Sequence, residues 1–139
     1  MRLTLDDEAL RLMGLFESVT GATAIDCLVE TDRVVFVVTP GEMGLAIGPD
    51  GRTVKALEAR LDRRVHLVEG ADTPAAFVAN TLAPAAVYNV TISEGETTIA
   101  YAEVDRADRG VAIGRDGRTI RTARQLAARH FDIDDIELV

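Results

Sequence analysis

Two short segments of the sequence each carry a pair of glycines separated by two residues. They are Gly48-Pro49-Asp50-Gly51 and Gly114-Arg115-Asp116-Gly117, called the GxxG loops below. The first glycine of each pair permits a tight turn with positive φ, and the last lets an anion approach the backbone where the next helix begins. Because a helix N-terminus carries a partial positive charge, each loop is suited to binding a phosphate group.

The two loops lie within a longer internal repeat. Residues 44–55 read GLAIGPDGRTVK and residues 110–121 read GVAIGRDGRTIR, which is an offset of 66 residues without a gap. A single GxxG segment most often marks an ordinary turn between helices, but two copies in the same context indicate a duplicated unit. Both copies lack the third glycine of a dinucleotide-binding turn and the Gly-Lys-Ser/Thr of a P-loop. The repeat therefore predicts two homologous halves that do not bind a nucleotide.

The pattern around the first loop predicts the element order αββααβ. Apolar residues at helical spacing from Ala9 to Phe16 predict an opening helix, which starts at a capping box over residues 4–7 and ends at Gly21. Alternation from Ile25 to Val29 predicts a strand with one apolar face, and Val34 to Val38 a central strand. A short helix over 42–47, the loop, a helix over 52–61 and a strand over 65–68 complete the half.

The second half repeats this order. Thr73 and Pro74 provide an N-cap and a first-turn proline, and alternation from Tyr88 to Ile92 predicts a strand that pairs with 99–104. Helices are predicted over 107–113 and from the loop to about 131, and a last strand over 136–139. We therefore predict an α+β protein with two tandem domains, residues 1–70 and 71–139. Each domain has a three-stranded sheet with helices packed on one face.

With this element order and two GxxG loops, the sequence resembles the KH family of type II order over nearly its whole length. A free-standing tandem pair of this length is similar, more narrowly, to the short archaeal relatives of the transcription factor NusA. The resemblance implies a protein that binds single-stranded RNA, each loop clamping the backbone of about four nucleotides. It also implies an accessory role in transcription elongation, termination or antitermination. RNA polymerase or a transcription complex is then a candidate partner.

Bacterial members of that family add a polymerase-binding N-terminal domain and an S1 domain, neither of which fits into this chain. We therefore do not expect roles that depend on those parts to carry over. By resemblance, the RNA-binding residues are the two loops and their neighbours. They are Ile47, Gly48, Pro49, Asp50, Gly51, Arg52 and Lys55 in the first half, and Ile113, Gly114, Arg115, Asp116, Gly117, Arg118 and Arg121 in the second.

The charges are distributed unevenly along the chain. Its formal net charge of -8 opposes binding to nucleic acid, yet residues 106–129 contain seven arginines and two aspartates. Arg118, Arg121 and Arg124 recur at helical spacing, which favours a phosphate-facing stripe, with a solvated helix face as the alternative. In the first half, acidic residues nearly cancel the basic ones around the loop. We therefore expect the two loops to contribute unequally.

Other chemistry finds little support in the sequence. His66 and His130 are too isolated for a metal site, paired carboxylates such as Asp134 and Asp135 are typical of solvated ends, and no cofactor is predicted. The single cysteine, Cys27, is interpreted as a buried, inert thiol. No segment is long and apolar enough to span a membrane and no signal peptide is evident, so we expect a cytoplasmic protein. Because the sequence shows no catalytic constellation, we predict no small-molecule substrate.

Three other functions compete with the first interpretation. Within the same class, the chain could serve ribosome assembly or RNA processing. A small enzyme acting on a nucleotide is disfavoured, because the phosphate-loop lysine and an acid/base set are missing. A protein-docking module that uses the KH scaffold without RNA is compatible with the acidic composition. RNA binding by the purified protein separates the enzyme and the docking module from the functions that require RNA.

Overall fold

The computed structural model describes residues 6–139, and these form two compact units. The first extends to Gly70, and the second is Ala71–Val139. Each contains one three-stranded sheet, with strand order β1-β2-β3 in the first and β4-β5-β6 in the second. The predicted α+β fold class is confirmed.

The first unit follows the predicted order αββααβ. Its elements are α1 (Asp7–Thr20), β1 (Ala24–Val29), β2 (Arg33–Val38), α2 (Met43–Ile47), a 3₁₀ turn (Pro49–Gly51), α3 (Arg52–Leu61) and β3 (Arg64–Glu69). β2 is antiparallel to β1 and parallel to β3. The parallel pairing requires a crossover between β2 and β3, and α2, the first loop and α3 form it.

The second unit repeats this arrangement. Its elements are α4 (Pro74–Thr81), β4 (Val87–Ser93), β5 (Ile99–Val104), a 3₁₀ turn (Arg106–Asp108), α5 (Arg109–Ile113), a 3₁₀ turn (Arg115–Gly117), α6 (Arg118–Phe131) and β6 (Asp135–Leu138). β5 is antiparallel to β4 and parallel to β6. The second loop thus occupies the same place between its helices as the first.

The opening helix of each unit has a capped N-terminus. Thr4, which the sequence placed in a capping box, lies outside the described residues, and the cap observed is Asp6, whose Oδ1 accepts a hydrogen bond from Ala9 N at 2.7 Å. Thr73 Oγ1 accepts one from Ala76 N at 3.3 Å at the start of α4. α1 ends at Gly21, which has a φ of 77°, as predicted.

Each pair of loop-flanking helices is fixed to the core of its unit by fully buried residues. Ala46 on α2 and Leu57 on α3 pack into a core with Phe16 and Phe36, whose ring centroids are 4.7 Å apart. In the second unit the corresponding anchors on α5 and α6 are Ala112 and Ala123. Since a core residue lies on both sides of each loop, the loops connect rigidly held helices.

The first strand of each sheet departs from the predicted alternation. Ile25 and Val29 are exposed and Asp26 is fully buried, because the pairing register shifts between Ala24 and Asp26. An extra residue in one strand reverses which face the following side chains occupy. The same shift between Val87 and Asn89 leaves Tyr88 66% exposed. The prediction of a single apolar face from Ile25 to Val29 is therefore wrong.

Cys27 is buried, as the sequence indicated. Burial, with a smaller contribution from the negative charge of Asp26, raises the pKa of its thiol to about 12. The thiol therefore stays protonated near neutral pH, where it is a poor nucleophile.

The first glycine of each GxxG loop has a backbone conformation that only glycine adopts readily. Gly48 has φ 75° and ψ 171°, and Gly114 has φ 80° and ψ 170°. A Cβ atom on Gly48 would lie 2.9 Å from the backbone N of Thr53, and one on Gly114 would lie 2.7 Å from that of Thr119. These glycines are required by the close approach of the chain to the next helix.

The last glycine of each loop differs from the first in its backbone conformation and in the space around it. Gly51 and Gly117 share a φ of 74° and a ψ of 14°, which is the left-handed helical region. Asp50 and Asp116, just before them, adopt that region as well. A Cβ on Gly51 would have a lysine side-chain carbon at 3.9 Å as its nearest neighbour. The space in front of the last glycine is therefore open.

This difference gives the first prediction. We expect Gly114→Ala to lower the free energy of unfolding by about 3 kcal/mol, because it combines a forbidden backbone conformation with a backbone collision. The matched variant Gly117→Ala should lose about 1 kcal/mol, the usual cost of a left-handed alanine. Urea unfolding followed by circular dichroism measures both. Equal losses would contradict the distinct roles of the two glycines.

Candidate nucleic-acid interface

The helices that follow the GxxG loops start without a side-chain cap. The N-cap residues of α3 and α6 are Gly51 and Gly117, and no side chain caps either helix. α1 and α4, by contrast, are capped by Asp6 and Thr73. Helix N-termini carry partial positive charge and attract anions. Since glycine supplies no oxygen of its own and faces open space, an external anion can occupy the capping position.

Apolar side chains are exposed just before each loop. Ile47 is 39% exposed and Ile113 is 41% exposed, at equivalent places at the ends of α2 and α5. Leu45 and Val111, two residues earlier, are exposed as well. Our sequence interpretation did not include this second pair, although the repeat places an aliphatic residue there in both halves. Each loop thus combines an uncapped helix N-terminus with a nearby exposed apolar surface.

The first loop carries charge of both signs at its surface. Arg52 Nη2 lies 3.7 Å from Asp50 Oδ2, and their side chains are 77% and 88% exposed. An ion pair this exposed contributes little to stability, so Arg52 is free to contact another anion. Lys55 is also exposed, whereas Pro49 adds no charge. The cationic residues of this loop lie on the helix after it.

The second loop has a cation in the loop itself. Arg115 stands where the first loop has Pro49, and its exposed side chain makes no hydrogen bond or ion pair with any other described residue. Arg121 Nη1 donates a hydrogen bond to the carbonyl oxygen of Asp116 at 3.1 Å, which braces the loop from α6. Arg118 is half-buried at the start of that helix. The three predicted arginines therefore have three different environments.

Two other arginines are engaged within the fold. Arg124 Nε forms an ion pair with Asp135 Oδ1 at 2.8 Å, and Arg124 Nη2 donates to the carbonyl oxygen of Ile136 at 3.2 Å. These contacts tie α6 to β6, so Arg124 does not extend a stripe of free arginines. Arg63 likewise contacts Glu8 at 3.5 Å and the carbonyl oxygen of Glu30 at 3.1 Å.

Residues 6–139 contain neither a metal-ligand cluster nor a membrane-spanning helix. This part of the chain has no group of three His, Cys, Asp or Glu side chains placed to hold a metal ion. Over the same residues, no helix has the length and apolar character needed to cross a bilayer. The His130 ring packs against the ring of Phe77, with centroids 5.4 Å apart, which agrees with its interpretation as a helix-end residue.

Comparison with known proteins assigns both halves of the chain. Residues 74–139 match the family model for the NusA-like second KH domain, and residues 12–73 match that for the KH domain. The chain is 70% identical to the probable transcription termination protein NusA of Halococcus morrhuae over 138 residues, 99% of both chains. It is 64% identical to the protein with the same description in Halobacterium salinarum, again over 99% of both.

A solved structure shows the same architecture. The crystal structure of APE1850 superposes with a TM-score of 0.83 at 29% sequence identity, covering 97% of this chain and 100% of that one. Together with the two family matches and the observed element order, this similarity confirms the type II KH fold. The chain therefore belongs to the archaeal NusA-like family of proteins built from two tandem KH domains.

Proposed function

We propose that this protein binds single-stranded RNA through both GxxG loops and acts as an accessory factor of transcription. The observation that carries this proposal is the pair of uncapped helix N-termini, each with an open glycine and an exposed isoleucine beside it. The curated relatives described as transcription termination proteins support the second part. In this proposal each compact unit is one RNA-binding domain, and the boundary between them in the sequence lies between Gly70 and Ala71.

In the proposed complex, a phosphate of the RNA backbone occupies the empty cap position at Gly51 or Gly117. Backbone N–H groups of the first turn donate hydrogen bonds to its oxygens, and the helix dipole adds favourable electrostatic energy. Neighbouring bases lie on the exposed side chains of Ile47 or Ile113. This contact requires unstacked bases, so single-stranded RNA fits the site better than a duplex.

The polar residues at each loop have distinct proposed roles. Asp50 and Asp116 hold the left-handed turn, since aspartate tolerates that conformation better than most residues. Arg52 and Lys55 contact phosphates of the first domain. Arg115 and Arg118 do so in the second, where Arg121 keeps the loop carbonyl in place. Gly48, Pro49 and Gly114 shape the turns and leave the backbone accessible.

The transcription role is tested by identifying the RNA bound in cells. If the protein acts on nascent transcripts, crosslinking should recover RNA near the 3′ ends of many transcription units, together with RNA polymerase. Recovery of ribosomal RNA precursors instead would favour ribosome assembly or RNA processing.

The loop mechanism makes a direct prediction about charge. We expect the double variant Gly51→Asp/Gly117→Asp to lose RNA affinity by at least about 100-fold, because a carboxylate at each cap position repels phosphate. Four aspartates of this chain, Asp50, Asp62, Asp116 and Asp132, already have positive φ, so the backbone should accept the change. Filter binding with single-stranded RNA measures affinity, and circular dichroism checks the fold.

A neutral control separates charge from bulk. The matched variant Gly51→Asn/Gly117→Asn introduces a side chain of nearly the same size, and asparagine also tolerates positive φ. It should retain clearly more affinity than the aspartate variant. If a folded aspartate variant binds RNA as well as the wild type, phosphate does not bind at these positions.

The different charges of the two loops predict different salt dependence. Each phosphate neutralised on a single strand contributes about -0.7 to the slope of log affinity against log salt concentration. We expect Arg115→Ala to flatten the slope by about this amount and Arg60→Ala, which changes an exposed arginine late in α3, to leave it unchanged. Pro49→Arg should steepen it, because it gives the first loop the second loop's cation. Identical slopes for all three variants would exclude Arg115 as a phosphate contact.

A further inference from the structure

We propose that the second unit carries an additional RNA-binding site beside its GxxG loop, in which Tyr88 stacks on a base while Arg106 and Arg109 bind phosphates. These three residues are called the accessory site. This inference rests on the proposed function, and extends it to residues that neither the family resemblance nor the sequence interpretation assigned.

Tyr88 is an exposed aromatic ring whose hydroxyl is already engaged. The Asp105 carboxylate lies beside the phenol hydroxyl, and hydrogen bonding to it, together with its negative charge, raises the tyrosine pKa. The side chain is nevertheless 66% exposed. A ring held by its polar end while most of its surface meets solvent offers a platform on which a base can stack.

Hydrogen bonds join the start of β4 to the segment that carries the two arginines. Asp105 N donates to the carbonyl oxygen of Ala86 at 2.9 Å, and Ala86 N donates to Asp108 Oδ2 at 2.7 Å. These two bonds link Ala86 to residues 105–108, and Tyr88 lies two residues further along the chain. Tyr88 therefore lies close to the 3₁₀ turn that begins with Arg106.

In residues 105–109 the carboxylates have partners among the described residues of the protein, whereas the arginine side chains do not. Asp105 Oδ1 accepts from Ala107 N at 3.2 Å and its carboxylate lies beside the Tyr88 hydroxyl, and Asp108 Oδ2 accepts from Ala86 N. Both carboxylates thus bind groups of the protein. The side chains of Arg106 and Arg109 are exposed and make no hydrogen bond or ion pair with another described residue. The cations are therefore available to an anionic ligand.

The accessory site is continuous with the second loop. Arg109 is the first residue of α5 and Ile113 the last, and residues four apart lie on the same face of a helix. At a rise of 1.5 Å per residue they are separated by about 6 Å along the axis. An RNA chain with a phosphate bound at Gly117 and a base lying on Ile113 can therefore reach Arg109 within a nucleotide or two.

The first unit lacks this site although its backbone follows the same plan. Applying the offset of the repeat, Arg106 and Arg109 correspond to Pro40 and Met43. The strand pairing aligns Val87 with Ala24, since Val104 and Val38 are equivalent, so Tyr88 corresponds to Ile25. All three positions are uncharged and non-aromatic in the first unit. The duplicated fold does not require these side chains, and their occurrence together in one unit points to a ligand.

RNA length separates the accessory site from the loops. We would measure affinity for single-stranded RNA pools of random sequence, about four nucleotides long to fill one loop and about twelve to extend past it. Arg106→Ala/Arg109→Ala should weaken binding of the longer pool about tenfold and flatten its salt slope by about 1.4, two phosphates at 0.7 each. Binding of the shorter pool should not change. Arg11→Ala/Arg60→Ala, which removes the same charge from exposed positions of the first unit, should alter neither value.

The tyrosine is tested by the same titrations. Tyr88→Ala should weaken binding of the longer pool about tenfold without changing the salt slope, because stacking releases no counterions. Tyr88→Phe, which keeps the ring and loses only the hydrogen bond to Asp105, should retain most of the affinity. Ultraviolet crosslinking of the longer RNA, followed by mass spectrometry, should place a nucleotide on Tyr88.

The outcomes distinguish the two proposals. If wild-type protein binds neither pool, both the proposed function and the accessory site are wrong. If wild-type protein binds RNA while the Tyr88 and arginine variants bind the longer pool equally well, only the accessory site is wrong, and this surface is left for a protein partner. Equal loss of affinity for both pools would also overturn it, because the residues would then be acting on the loop itself.

Discussion

The close approach of each loop's first glycine to the following helix is the constraint on which the candidate interface depends. At Gly48 and Gly114 the chain passes so near the next helix that a Cβ would collide with its backbone. Two left-handed residues then complete the turn, and the helix begins at a glycine. Because a buried residue on each flanking helix fixes this geometry from both sides, the cap position remains empty and accessible.

The two loops share a backbone and differ in their side chains. Their φ and ψ angles agree within a few degrees at the first glycine, the aspartate and the last glycine. Anion binding by backbone N–H groups can therefore be common to both. Pro49 of the first loop is replaced by Arg115 in the second, so the second loop itself carries one more cation. Local clustering of arginine in this part of the chain is compatible with RNA binding despite the net charge of -8.

Much of the fold was predictable, because the sequence pattern of each element occurs in both halves of the chain. The 66-residue offset located both loops, and helical spacing and glycine placed α1. The orientation of β1 was not predictable, since the register shift that buries Asp26 depends on pairing with β2. The engagement of Arg124 by Asp135, and of Arg63 by Glu8, arises from contacts between separate elements. Charge counting along the sequence cannot distinguish such arginines from free ones like Arg115.

The most direct measurement is a titration of the isotopically labelled protein with single-stranded RNA, followed by the backbone amide signals in NMR spectra. If phosphate binds at the two empty cap positions, the largest shifts should fall on residues 51–55 and 117–121, where the helices begin. Amides of the capped N-termini of α1 and α4 should change little and serve as internal controls. Large shifts elsewhere, with the amides after Gly51 and Gly117 unmoved, would contradict RNA binding through the GxxG loops.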